Sequence, residues 1–65
     1  MQIELSKAIE IIELNIREAS HKMPPDVKAS LQLLVNCAKR IQLGRVSQAA
    51  YYQYILPGEA PERTK

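Results

Sequence analysis

An all-α fold, an antiparallel hairpin of two helices over about residues 5–22 and 25–43, is expected from three features of this chain. Leu5, Ile9, Ile12, Ile16, Ala19 and Met23 recur at alternating steps of four and three, the spacing that aligns side chains along one face of an α-helix. Val27, Leu31, Leu34, Ala38 and Ile41 repeat the pattern. Between the two stripes lies Met23-Pro24-Pro25-Asp26. A tandem proline inside a helix would remove two backbone donors and clash with the preceding turn. A link this short folds consecutive helices back as antiparallel neighbours.

At the start of the first helix, Ser6 is placed to accept a bond from a free first-turn amide. Glu13 with Arg17 and Glu18 with Lys22 then stand four apart in the favourable order. His21 and Lys22 suit the negative end of the helix dipole. In the second helix Pro25 occupies an opening position whose amide has no partner anyway, and Asp26 faces the positive end of the dipole. Lys39, Arg40 and then Gly44 give the expected stop signals. Ser47 is placed to cap a short third helix over 47–55, while Tyr51, Tyr52 and Tyr54 favour extended structure as readily; we read the segment as a turn or two of helix. From Pro57 the chain has two prolines, a glycine and no apolar residue beyond one alanine. Residues 1–56 are thus one hairpin with a tyrosine-bearing extension, and 57–65 a flexible tail.

A chain of 65 residues buries barely enough apolar area to offset the entropy of ordering it. The lone Cys37 closes no internal disulfide, and with one histidine there is no grouping at metal-ligand spacing. A cytoplasmic setting and no cofactor follow. Glu4 and Glu10 lie among the first apolar residues, unlike a signal peptide. The uncharged run 29–38 is too short to span a bilayer. The net charge of +2 hides a split. Residues 1–21 hold four glutamates against Lys7 and Arg17, while 22–45 hold five basic residues against Asp26. An acidic helix followed by a basic one favours their lying side by side.

Leu5-Ser6-Lys7-Ala8-Ile9-Glu10-Ile11, Pro24-Pro25-Asp26, Ala38-Lys39-Arg40-Ile41 and Leu56-Pro57-Gly58-Glu59 together touch most of the chain. In these segments it resembles small uncharacterised helical-hairpin proteins of bacteria, archaea and their mobile elements. It departs from them at Leu33-Leu34-Val35, where such proteins alternate leucine with alanine or glycine. The resemblance implies a helical hairpin and no assigned activity.

Ile11, Leu14, Leu33 and Val35 fall off the main stripes, and a hairpin hides only one stripe per helix. Contiguous apolar surface left in water marks an interface. The expectation is a self-associating interaction or scaffold module, a homodimer closing as a four-helix bundle, with another protein as a further partner. The alternative is a nucleic-acid accessory factor using Lys28, Lys39, Arg40 and Arg45 on phosphates. Enzyme chemistry is not expected. His21 belongs at the opposite end of the hairpin from Cys37, which should pack beside the seam as a small apolar residue, and Glu10, Glu13 and Glu18 have basic partners at helical spacing.

Overall fold

The structure, a computed structural model, describes residues 1–62. It is mostly helical, with strand β1 (Ile3–Glu4), helix α1 (Leu5–Ala19), helix α2 (Pro25–Val46) and strand β2 (Glu59–Ala60). The two helices lie side by side in a body of 37 × 21 × 20 Å.

Glu4, not Ser6, is the residue at which α1 begins, and its side chain makes no cap bond. The first turn is capped from the far end of the chain instead. The Ser6 amide donates to Glu62 Oε2 at 2.9 Å and the Ser6 hydroxyl to Glu62 Oε1 at 2.9 Å, which also sets a carboxylate at the positive end of the dipole. α1 tightens at its end into a 3-10 turn, Ser20–Lys22, and the Met23 amide closes it onto the Ser20 carbonyl. Pro24 stays extended and Pro25 opens α2, so neither proline displaces a helical hydrogen bond.

α2 runs through Gly44 to Val46, past the expected stop. The glycine serves packing at this point. A Cβ there would run into Cδ2 and Cγ of Tyr52, whose ring occupies the space. The helix ends where Gln48 turns to φ +62°. Its amide bonds the Arg45 carbonyl and the Ala49 amide bonds the Gly44 carbonyl, the paired closure of a Schellman motif. No third helix spans 47–55. A single 3-10 turn, Ala50–Tyr52, follows, and the Tyr51 and Tyr52 rings meet edge to face at 5.9 Å.

Residues 57–62, expected to hang free, are tied back onto the hairpin. Pro57 and Gly58 form a turn closed by the Glu59 amide on the Leu56 carbonyl, with Gly58 at φ +84°. β2 then pairs in parallel with β1, Ile3 opposite Glu59 and Glu4 opposite Ala60. Residues 63–65 of the expected tail lie outside the described residues.

Leu5, Ile9, Ile16 and Val35 form the core, with Ile12, Met23, Leu31, Ala38 and Ile41 packed around it. The α1 stripe is the expected one. The α2 seam keeps Leu31, Ala38 and Ile41 of the expected stripe but passes through Val35, 3% exposed, while Leu34 is 63% exposed. Val35 is therefore a core residue and not an interface candidate. Leu31, Val35, Ala38 and Gln42 share one face at helical spacing, and all four are buried or half-buried.

Candidate protein-interaction face

Two constructions dominate the surface, a polar lock at one pole and an apolar face along one side. The lock is built on Arg45. Its guanidinium donates Nη1 to Glu59 Oε2 at 2.6 Å and Nη2 to Glu59 Oε1 at 3.0 Å, a bidentate pair. Nε reaches the Tyr52 carbonyl at 2.6 Å and Nη2 the Tyr54 carbonyl at 2.7 Å. Glu59 also accepts from the Leu56 amide at 2.9 Å. The carboxylate is only 5% exposed, so its charge depends on these donors. The hydrogen bond from Arg45 holds its carboxyl below the usual range against the opposing effect of burial, and the same pair raises Arg45 above its ordinary value. One arginine thus fixes the tyrosine segment and β2 on the end of α2.

The apolar face follows from the displaced seam. Because Val35 takes the core position, Leu34 is pushed to the flank, where it lines an open groove with Ala8, Ile9 and Ile12 of α1 and Leu31 and Ala38 of α2. Ile3, Leu56 and Pro57 border Ala8 in an adjoining cleft. Val27 and Cys37 stand exposed on the same helix. The opposite side of the hairpin is polar. There Lys39 pairs with Glu13, and Glu13, Arg17 and Gln32 line a shallow hollow around Ile16. The hairpin is therefore two-faced, apolar on one side and charged on the other.

Ile11 and Leu14, three apart on α1, are each 40% exposed, and Leu33 on α2 is 68% exposed. Leu14 lies two residues from buried Ile16, and Leu33 two from buried Val35. A two-residue step turns about 200° around a helix, so both project away from the interhelical seam. The exposed apolar residues that periodicity alone places in the seam are Val27 and Leu34, whereas Ile41 does pack against the core.

The four basic candidates are likewise scattered. Lys39 is engaged by Glu13 and Arg45 by Glu59, leaving Lys28 and Arg40 on different sides of α2, twelve residues apart. Cys37 is exposed rather than seated beside the seam. It stands about 18 Å along α2 from Pro25, at twelve residues of rise, whereas His21 lies in the turn region. Among the described residues no group of three or more His, Cys, Asp or Glu gathers to hold a metal, and no helix is long and apolar enough to cross a membrane.

No protein-family model, curated protein or solved structure matches this chain.

Proposed function

We propose that this protein is a small, non-enzymatic interaction module that self-associates through the apolar side of its hairpin. One observation carries the reading: Leu34 stands 63% exposed beside an interhelical groove of alanine, isoleucine and leucine side chains, with four buried core hydrophobics among the described residues. Burying such a face removes apolar area from water at about 25 cal/mol per Å², and a second copy supplies two further helices to complete a four-helix bundle. The charged opposite side keeps the assembly closed instead of stacking further. Its setting is cytoplasmic in this reading, and the scaffold presents its tyrosine-bearing pole to another protein. Phosphate binding is disfavoured because Lys39 and Arg45 already face carboxylates.

Light scattering at micromolar concentration tests the reading. The wild type is expected to run as a dimer and Leu34→Glu as a helical monomer. A well-folded wild-type monomer, or a variant that stays dimeric, rejects it.

A further inference from the structure

Val27, Ser30, Leu34, Cys37 and Ile41 follow one another at steps of three, four, three and four. That is a second heptad seam on α2, adjacent to the one that packs on α1. Val27, Ser30, Leu34 and Cys37 are exposed and Ile41 is half-buried. Large and small residues alternate along it, so each large side chain of a facing helix has a small residue to sit against. Asp26, Leu33 and Arg40 form a parallel row on its outer flank, seven residues apart.

The stripe and its flank are self-complementary only in the antiparallel sense. A two-fold axis crossing α2 between Leu33 and Leu34 sets Ser30 level with Cys37 of the second copy and, to within one residue of helical rise, Val27 beside Ile41 and Leu34 beside Leu34. On the flank it brings Asp26 beside Arg40 and Leu33 beside Leu33, again to within one residue of rise. The acidic and basic ends of the row therefore meet twice, whereas a parallel two-fold would carry the two rows to opposite sides of the interface and form neither charge pair.

We infer that a second copy of this chain docks on this stripe, α2 against α2 antiparallel about a two-fold axis beside Leu34. The inference rests on the self-association proposed above and specifies its surface, orientation and register. Opposite-charge pairs at Asp26 and Arg40 select the orientation, and Ser30 and Cys37 let the two backbones approach closely. The Gly44 end of the stripe is closed by the Tyr52 ring, which limits the seam to the turns between Val27 and Ile41.

Ser30→Cys with Cys37 retained tests the register. Ser30 is exposed and its hydroxyl bonds the Asp26 carbonyl of its own helix, so the fold tolerates the change. Mild oxidation followed by peptide mapping is expected to give a covalent dimer linking position 30 of one copy to Cys37 of the other. Wild-type protein should resist cross-linking under the same conditions, because the two Cys37 residues are offset by seven residues, about 10 Å along the helix, beyond disulfide reach. Links of 30 to 30 or 37 to 37 mean parallel pairing and overturn the inference. Light scattering on the same samples separates the two readings. A dimer that forms no 30-to-37 link overturns this seam and leaves self-association standing, and a monomer overturns both.

Discussion

Gly44 and Gln48 stand four residues apart and carry opposite backbone lessons. Gly44 is helical, and what it requires is the absence of a side chain, since the Tyr52 ring fills the place of a Cβ. Gly44→Ala should destabilise the fold by about 1–3 kcal/mol, the range for overpacking a close contact, and a urea titration measures it. Gln48 adopts φ +62° at the position where helices favour glycine. Gln48→Gly should raise stability by about 0.5–1 kcal/mol in the same titration. Gly44 was legible as punctuation but not as a packing site, because the residue that needs it, Tyr52, is contributed by an irregular segment eight positions on. At Leu33-Leu34-Val35 three consecutive apolar residues point in three directions 100° apart. Hydropathy alone does not say which of them enters the core.

Among the elements, the link between the Arg45 lock and β2 has the largest consequences. Arg45→Ala would leave the Glu59 carboxylate buried without its counter-charge and the Tyr52 and Tyr54 carbonyls without their donor. The expected loss is about 3–5 kcal/mol, large against the roughly 3–10 kcal/mol available to a domain of this length. Thermal melting followed by circular dichroism checks it. Glu59 also sets a pH dependence. Its carboxyl is lowered in the folded protein, so the ionised form favours folding, and this contribution is complete above the unfolded value near 4.3 and fades as the pH falls through the depressed native value. Urea midpoints between pH 6 and pH 2.5 should fall steeply for the wild type and less steeply for Glu59→Gln, which starts lower. The element pattern was readable where one force decides it: the α1 stripe and the double proline. Residues 57–62 escaped because almost nothing in them is apolar. They are held by Glu59, Glu62 and a two-residue strand, and composition carries no record of such polar pairing.

Over the whole molecule, the hairpin divides its surface by chemistry, with the Glu13–Lys39 pair on one side and the Leu34 groove on the other. The acidic-then-basic order of the two helices agrees with that ion pair. Exchanging the pair for Ala at both positions should alter stability by under about 1 kcal/mol, since it is solvent-exposed on both sides. Leu34→Glu should instead change the assembly while leaving helicity intact. A double result of that kind, from light scattering and circular dichroism on the two variants, separates what holds the monomer from what joins copies. Residues 27, 34 and 41 were visible from the start as a periodic set, but the same period fits an internal or an external seam.

Ile3 opposite Glu59 is a contact between positions 56 residues apart, so the closure it makes encloses both helices. Bringing distant segments together carries the largest entropic penalty in such a chain, and its few backbone bonds recover little of it. The two extremities should accordingly breathe as one unit: deuterium should enter the Ile3, Ser6, Leu56 and Glu59 amides at a common rate, well ahead of those in the middle of either helix.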